Sequence, residues 1–502
     1  ETLERRIPVR APTLPQVRNQ YQRLDAGATH EYTDLADARL TLNSGIPYNA
    51  EPYQKQLADY PLGCSEQTTG KLWGLIGAAI PDRDSIRAAE NRLANLAAYD
   101  GSYSLWGNGS ADQWLTAYVG EALIELQKRD QLLNPSQLNR LLKNLRENID
   151  GSYTAERAHN DSYAYYTLAY AGEPVRGNLL RYHREAGDKL DRNDSLDIAA
   201  ALALLGEYQA ASERLATVAA VENSNSYPYS SATSLAAHNL VRLKQLETLW
   251  QNVKNDPQNT GDTLTKLYDE QREALAQALS HDRYLSTQEL AWLVRLATVA
   301  PKLAADTAIE INGKAATLAD LEKAPHNGKV RITNPGKTPL WLEARDLHAP
   351  AASEASNEGW EIALRYESAD GTVLDPAKLP NNTDLRITAT FTPKLEREAA
   401  QSDLVYTYPL PAGITLNALR DNENVMEAGE DDDNRVDYQY RENRDDRHIA
   451  AFTLNGAPKA FSYTIHGRTT RAGTWHAPGA SIENMYHPEE HARQAAQQIV
   501  VQ

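Results

Sequence analysis

The only cysteine of the 502-residue sequence stands three positions before a glutamine, in "YPLGCSEQTTGKLWG" (60–74). If a helix begins here, Cys64 and Gln67 occupy positions i and i+3, which are neighbours on one face, with Cβ atoms roughly 5–6 Å apart. The dipole and the free N–H groups at a helix N-terminus lower the pKa of a thiol. Attack of the thiolate on the Gln67 side-chain carbonyl, with loss of ammonia, would give an internal thioester. The alternative is a buried cysteine without chemistry, which most free cysteines are.

The residues before the cysteine suit a sharp entry into such a helix. Pro61 disfavours helical backbone at the residue before it, and Gly63 tolerates conformations that other residues avoid. We therefore expect Pro61 and Gly63 to shape a tight, non-helical approach to Cys64. Tyr60 then stands four residues before the thiol.

Composition narrows the classes of protein. A hydrophobic content of 41% and a charged content of 24% are typical of a globular chain. The formal net charge of −17 argues against a nucleic-acid partner, because phosphate contacts need clustered Lys and Arg. The nearest approach to metal-ligand spacing, "HPEEH" (487–491), is interrupted by Pro488. No metal and no cofactor is expected.

Hydropathy patterns divide the chain into four parts. Residues 39–302 carry apolar residues at helical spacing, with turn-forming breaks between them. Residues 1–38 and 303–350 read as short strands, and 351–502 as further strands of a β-sandwich. The first β-segment is too short for a core of its own. We predict that it pairs with 303–350, so that the helical domain is inserted between two halves of a small β-domain.

The helical part contains a weak internal repeat. "DGSY" occurs at Asp100 and again at Asp150, each time before an apolar helix. A turn and helix repeated about 50 residues apart indicate stacked helical hairpins. Eleven or twelve helices are expected, which is enough for a closed ring of six hairpins.

At this point the sequence resembles a known family. "GCSEQ" is similar to the G-C-x-E-Q thioester signature of the α2-macroglobulin and complement family, and "YPLGCSEQTT" is most similar to its bacterial members. "WGNGSADQWLTAYV" (106–119) resembles the tryptophan-rich segment that follows the thioester there. Ser65 stands where eukaryotic members usually have glycine. The resemblance implies a multidomain α + β fold: an α/α toroid inserted into a CUB-like β-domain, followed by a macroglobulin-type sandwich.

The resemblance also implies a function. It is that of a broad-spectrum protease inhibitor, not an enzyme, in which cleavage of a bait region exposes the thioester and a lysine amine of the protease is captured. The chain would be the C-terminal part of a longer protein with N-terminal macroglobulin domains. A monomer is expected, periplasmic and anchored to the inner membrane through an N-terminal lipid outside this sequence.

Further residues are expected around the Cys64–Gln67 thioester. They are Tyr60, Pro61, Gly63 and Glu66, with Met485 and Tyr486 from "SIENMYHPEEHA" (481–492). Tyr60 would cover the bond, and the resemblance places a locking residue in the last sandwich, for which Met485 is the candidate. The competing interpretation is that Met485 fills the sandwich core.

Whether the thioester reacts with amines or with hydroxyl groups depends, in the related family, on a histidine near the bond. In some complement relatives, a histidine about a hundred residues after the motif favours hydroxyl acceptors. His159 is the candidate by position, but a gap-free match places "RENID" (146–150) there instead. We interpret His159 as a solvated loop residue and expect a preference for amines.

Two other functions stay open. A transglutaminase-like cysteine acyltransferase would need a histidine base near Cys64 and would keep Gln67 unmodified. A thioester adhesin would anchor itself to a surface, although the helical insertion argues against it.

Overall fold

The structure is a computed structural model. It describes residues 16–58, 60, 63–78, 82–218, 229–251, 253, 256, 259–279, 285–300, 302–348, 355–394, 401–418, 436–454, 459–487 and 490–502. These residues form two compact units. One is Asn19–Asp346, and the other contains the described residues of Leu347–Gln502 together with residues 16–18.

Twelve α-helices make up most of the first unit in the described ranges. They are α1 Glu51–Ala58, α2 Ser65–Ile76, α3 Arg83–Leu96, α4 Gln113–Lys128, α5 Pro135–Glu147, α6 Ala158–Ala171, α7 Arg176–Ala186, α8 Arg192–Leu204, α9 Tyr208–Val218, α10 Ala232–Trp250, α11 Thr260–Leu279 and α12 Thr287–Val299. The even-numbered helices are the most buried, and each contacts the next around a closed circle in which α12 returns to α2. The odd-numbered helices pack outside them. This is the expected α/α ring of six hairpins.

Local sequence explains where the helices begin. Asp82, Asp112, Asn134, Asp191 and Ser286 are N-caps whose side chains accept hydrogen bonds from the first-turn N–H groups. These caps mark the first residues of the helices, which the apolar pattern alone would not define.

The "DGSY" repeat is a repeated turn. In each copy the aspartate Oδ1 accepts from the backbone N–H of the serine two residues later, at 3.0 Å for Asp100 and 2.9 Å for Asp150. The intervening glycines have φ of +88° and +90°, a region that glycine enters without strain. At Gly101 a Cβ would also lie 2.6 Å from the backbone of Arg140, so the turn packs directly on α5.

A six-stranded sheet completes the first unit. Its strands are β1 Gln16–Leu24, β2 Thr29–Asn43, β3 Ala308–Ile311, β4 Lys314–Thr317, β5 His326–Thr333 and β6 Leu340–His348, with a short helix, α13 Leu318–Glu322, after β4. The order β1-β6-β2-β5-β3-β4 alternates strands from the two sides of the helical part. In β2, Tyr32 pairs with Val330 and Leu40 with Ala344. The helical ring is therefore inserted within the sequence of one sheet, and β2 runs five residues past the expected boundary at 38, to Asn43.

The second unit is a β-sandwich. Its strands are β7 Ser356–Glu358, β8 Trp360–Ser368, β9 Val373–Leu374, β10 Asp384–Pro393, β11 Gln401–Pro409, β12 Ile414–Leu416, β13 Val436–Asn443, β14 Arg447–Leu454, β15 Phe461–Thr469, β16 Gly473–Ala477, β17 Ser481–Asn484, β18 His491–Arg493 and β19 Gln497–Val501. The two larger sheets run β12-β15-β10-β8-β9 and β13-β14-β11-β17-β18-β7, and β16 pairs with β19. Their inward residues, among them Trp360, Phe391 and Phe452, form one apolar core.

The predicted fold class, a mixed α + β chain with a helical domain followed by sheets, is confirmed. Among the described helices, none combines the length and hydropathy needed to cross a membrane.

Candidate functional site

Cys64 is the N-cap of α2. Its φ of −69° and ψ of 173° are extended, and helical backbone begins at Ser65. The Cys64 Sγ accepts from the backbone N–H of Gln67 at 3.4 Å, and the Gln67 Oε1 accepts from the backbone N–H of Cys64, also at 3.4 Å. This is a capping box in which cysteine takes the place of serine or threonine. The spacing read from the sequence thus brings the thiol and the carboxamide together.

The pair is excluded from solvent. Cys64, Ser65, Glu66 and Gln67 are all fully buried. On the side of the preceding loop, the Tyr60 hydroxyl accepts from Gln67 Nε2 at 3.2 Å. Tyr60 therefore contacts the end of the carboxamide, on the side where its nitrogen lies. Pro61, the other residue expected there, falls outside the described residues.

The Glu66 carboxylate contacts another inner helix of the ring. Its Oε2 accepts from the Thr287 hydroxyl at 2.7 Å, and Thr287 opens α12. Tyr118 of α4 lies near both Glu66 and Cys64. Burial, reinforced by the charge of Glu66, raises the pKa of the Tyr118 phenol well above its usual range, so the phenol stays neutral.

The segment before α4 and the helix α3 both contact the start of α2. Ser65 donates to the strand-like segment before α4, its N–H to Leu105 O and its Oγ to Ser104 O, both at 2.7 Å. Gly63 O accepts from Arg92 Nε of α3 at 2.9 Å. The two residues directly before the tryptophan-rich segment (106–119), Ser104 and Leu105, therefore contact the motif.

His159 is not a solvated loop residue, and that expectation is wrong. It lies in the first turn of α6 with its side chain only 12% exposed, and its Nδ1 is 2.9 Å from Asp194 Oδ1. Its ring stacks on Trp114 at 6.0 Å between centroids, and Trp114 stacks on Tyr118 at 5.3 Å. Burial lowers the pKa of His159 to about 4, so the ring is neutral at pH 7.

The geometry of the ring explains why the sequence distance between Cys64 and His159 does not predict the surroundings of His159. The inner helices of the ring all run in the same direction, because each is separated from the next by one outer helix. Their first turns, including those of α2 and α6, share one end of the ring. Contacts between Glu66 and Thr287 and between Ser231 and Glu289 connect first turns at this end. The signal available in the sequence was the first-turn position of His159, not its distance from Cys64.

The centre of the ring holds a buried ionic network that the sequence did not reveal. Glu121 of α4 accepts from Arg242 Nη1 of α10 at 3.1 Å, from the Tyr163 hydroxyl at 2.5 Å, and from Arg295 of α12. Asp197 of α8 accepts from Arg242 Nε at 2.6 Å. Burial opposes ionisation of Glu121, but the two guanidinium groups hold its pKa well below the usual range.

A histidine completes this network. His238 Nε2 lies 2.9 Å from Asp197 Oδ1, and its ring stacks on Trp292 at 3.9 Å. Burial lowers the pKa of His238 to about 4. The two carboxylates are therefore balanced by two guanidinium groups, and four of the six inner helices are tied together by charge.

Met485 and Tyr486 lie in the second unit, directly after β17. Met485 N–H donates to Asp403 O at 3.0 Å, and Tyr486 N–H donates to Asn484 Oδ1 at 3.1 Å. Both side chains are buried, yet neither belongs to the described apolar core of the sandwich. The expected meeting of Met485 with Tyr60 stays a prediction.

Comparison with known families gives two matches. Residues 82–162 match the family described as the A-macroglobulin TED domain, and residues 359–489 match the bacterial α2-macroglobulin MG10 domain. The first match begins after Cys64 and Gln67 and includes His159.

Curated relatives match over most of the chain. It is 25% identical to α2-macroglobulin of Escherichia coli (strain K12) over 93% of its length, and 23% identical to that of Xylella fastidiosa (strain Temecula1 / ATCC 700964) over 91%. The chain spans 30% of the length of each of these relatives.

Solved structures share the fold. The chain superposes with a TM-score of 0.74 on Salmonella α2-macroglobulin reacted with methylamine, at 22% identity over 97% of this chain and 34% of that one. It gives the same TM-score with native E. coli α2-macroglobulin from domain MG7 to the C-terminus, at 21% identity over 97% of this chain and 82% of that one. The resemblance to bacterial α2-macroglobulins that the sequence predicted is thus confirmed, in sequence along nearly the whole chain and in fold.

Proposed function

We propose that this chain carries an internal thioester between Cys64 and Gln67 and serves in the covalent trapping of proteases. The observation that carries the proposal is the buried capping box, in which the thiol and the carboxamide of one short motif are held against each other. A serine or threonine would cap the helix equally well, so capping alone does not account for a cysteine.

The bond would form without a cofactor. Cys64 Sγ loses its proton and attacks Gln67 Cδ, the oxygen takes the negative charge, and the C–N bond then breaks. The nitrogen leaves with the proton as ammonia, and an acyl thioester remains. Two contacts of the site support this reaction: Cys64 N–H faces the oxygen, and the Tyr60 hydroxyl faces the departing nitrogen.

The product is an activated acyl group. A thiol of pKa about 8.5 is a far better leaving group than an alkoxide, so an amine converts the thioester to an amide and releases Cys64. A lysine of an approaching protease would become attached in this way, once per molecule. The reaction is stoichiometric acyl transfer and not turnover.

The wider setting follows from the family. The target proteases, a bait region and N-terminal macroglobulin domains are proposed from the relatives, because this chain spans 30% of their length. Periplasmic location, a lipid anchor and a monomeric state are proposed on the same basis. The preference for amines loses the support that it drew from a solvated His159.

Intact mass tests the thioester directly. Purified protein should be lighter by one ammonia than its sequence, and methylamine should add one methylamine and expose one titratable thiol. Cys64→Ser is the matched control, because serine keeps the capping box and removes the thiol; its mass should equal its sequence and should not change with methylamine.

A wild-type mass equal to the sequence, with a thiol that is reactive before any amine is added, would reject the thioester. An unmodified Gln67 with acyl transfer to added amines would favour the transglutaminase-like alternative.

A further inference from the structure

One peptide group is hydrogen-bonded at both ends next to the proposed bond. Its carbonyl, Gly63 O, accepts from Arg92 Nε at 2.9 Å. Its N–H, on Cys64, donates to Gln67 Oε1 at 3.4 Å. The guanidinium of α3 and the acyl oxygen of α2 therefore lie at opposite ends of the same amide.

The two hydrogen bonds strengthen each other. A cationic donor at the carbonyl draws electron density through the amide and makes its N–H a better donor. The effect is larger in a buried site, where the effective dielectric constant is low. Cys64 and Gln67 are fully buried, and Arg92 is half-buried.

We infer that Arg92 is a positioning residue for acyl transfer, acting through the Gly63–Cys64 peptide on the donor that faces the Gln67 acyl oxygen. The inference rests on the proposed thioester. The described hydrogen bond of Arg92 goes to Gly63 O, one peptide group away from the reacting atoms. The Cys64 N–H serves as the contact, and Arg92 holds that N–H in place and polarises it.

The polarised donor acts where charge develops. When an amine attacks Gln67 Cδ, the carbonyl π electrons move to the oxygen, which becomes an alkoxide. The ammonium proton passes to solvent, the alkoxide re-forms the C=O bond, and the C–S bond breaks with its electron pair on Sγ. Solvent then protonates the thiolate. The Cys64 N–H stabilises the alkoxide more than the starting carbonyl, which accelerates the step.

The size of the effect can be bounded. Removing one direct donor to such an oxygen slows acyl transfer by roughly 10²- to 10³-fold. A neighbouring hydrogen bond strengthens the next by about 10–30%. That share of the donor's free energy corresponds to a rate change of about two- to eightfold.

The experiment compares Arg92→Met and Arg92→Lys with Arg87→Met. Arg87 lies on the same helix, is mostly exposed and faces Asp84, so it controls for loss of a cation from α3. Intact mass first establishes that each protein carries the ammonia deficit. The rate of thiol release by methylamine is then measured, with thermal unfolding to show that the fold is retained.

The expected result is a reaction about two- to eightfold slower in Arg92→Met, partial recovery in Arg92→Lys, and no change in Arg87→Met. The direction of the rate change separates this role of Arg92 from a purely structural role. If Arg92 only kept Gly63 in place, its loss would expose the bond and speed the reaction, and a faster or unchanged rate would overturn the inference.

Formation of the thioester gives a second test of Arg92, because the Gln67 oxygen also becomes negatively charged when Cys64 attacks the carboxamide. If folded Arg92→Met protein has the full sequence mass and Arg92→Lys shows the loss of one ammonia, the inference is supported. If neither variant shows the loss of ammonia, the inference is overturned. If the wild-type protein itself lacks the deficit, the proposed function fails instead.

A vibrational measurement does not depend on rates. In protein labelled with ¹³C-glutamine, the infrared difference before and after methylamine isolates the thioester C=O stretch. A weaker hydrogen bond to the oxygen raises its frequency, so Arg92→Met should shift upward and Arg87→Met should not. An unshifted band in Arg92→Met contradicts the inference.

Discussion

Cys64 holds the position in a capping box that serine or threonine usually takes, and the proposed chemistry depends on this difference. The reciprocal bonds of the box, from Gln67 N–H to sulfur and from Cys64 N–H to Oε1, are ordinary helix-capping interactions. They also bring the thiol and the carboxamide of the motif to the same helix start. At this scale, local backbone physics is sufficient to place the two groups of the proposed bond side by side.

We propose that Tyr60 protects the thioester, which is a prediction at the scale of single residues. Tyr60→Gly removes a ring whose burial is worth about 1.5–3 kcal/mol, so the reaction with methylamine should be about ten- to a hundredfold faster. Tyr60→Phe keeps the ring and serves as the matched variant, with a rate close to that of the wild type. Stopped-flow detection of the released thiol measures both. An unchanged rate in Tyr60→Gly would contradict a covering role.

Among the elements, the first turns of the inner helices decide which residues meet. Cys64, His159 and Thr287 are far apart in sequence, yet each opens an inner helix at the same end of the ring. The network of Glu121, Arg242 and their partners lies deeper between the same helices. Removing one partner of such a buried pair typically costs 3–5 kcal/mol, so the ring tolerates little change there.

The junction of ring and sheet is a second buried ionisable site. Glu343 of β6 accepts from Asn49 N–H and, at 3.3 Å, from the Thr41 hydroxyl, and both Tyr53 of α1 and Arg345 lie near it. Burial raises the pKa of Glu343 from 4.5 to about 7, although Asn49, Arg345 and Thr41 oppose the shift. The folded protein therefore retains this proton at pH values where the unfolded chain has released it.

This sets a pH dependence. Between pH 4.5 and 7 the folded state binds more protons at Glu343 than the unfolded state, so this contribution to stability falls as the pH rises. In Glu343→Gln the contribution is absent, and the variant should gain about 3 kcal/mol relative to wild type between pH 4.5 and pH 8. Urea unfolding at both pH values measures the difference. Glu310→Gln in the same sheet is the control, and an equal gain in both variants would refute the assignment.

The whole molecule consists of two compact units, and the predicted lock of Met485 on Tyr60 involves one residue from each. Asn484 orders the turn that carries Met485 and Tyr486, by accepting from the Tyr486 N–H. Both side chains are buried. That Met485 meets the ring of Tyr60 stays a prediction.

A double-mutant cycle tests the lock. A thioether–aromatic contact is worth roughly 0.3–1.5 kcal/mol, so Met485→Ala should speed the methylamine reaction by about two- to thirteenfold. Combined with Tyr60→Gly it should add little, because one contact cannot be lost twice. Met426→Ala changes the other methionine of the chain and is the control. Fully additive effects of Met485→Ala and Tyr60→Gly would separate the two residues.

The sequence by itself determined what depends on short-range physics. The i, i+3 spacing of Cys64 and Gln67 is realised because a helix N-cap uses only neighbouring residues. The turns at Asp100 and Asp150 form as the repeat predicted, and the switch from helical to alternating spacing placed the insertion within a few residues. These features need no distant partner.

Only the tertiary structure decided what lies across the ring. His159 was misread because its burial depends on Trp114 and Asp194, which closure of the ring brings to it. The pairing of Glu66 with Thr287 spans 221 residues, and the hydrogen bond from Arg92 to Gly63 crosses between hairpin partners. No local pattern encodes such contacts, because they arise from how six hairpins close on one another.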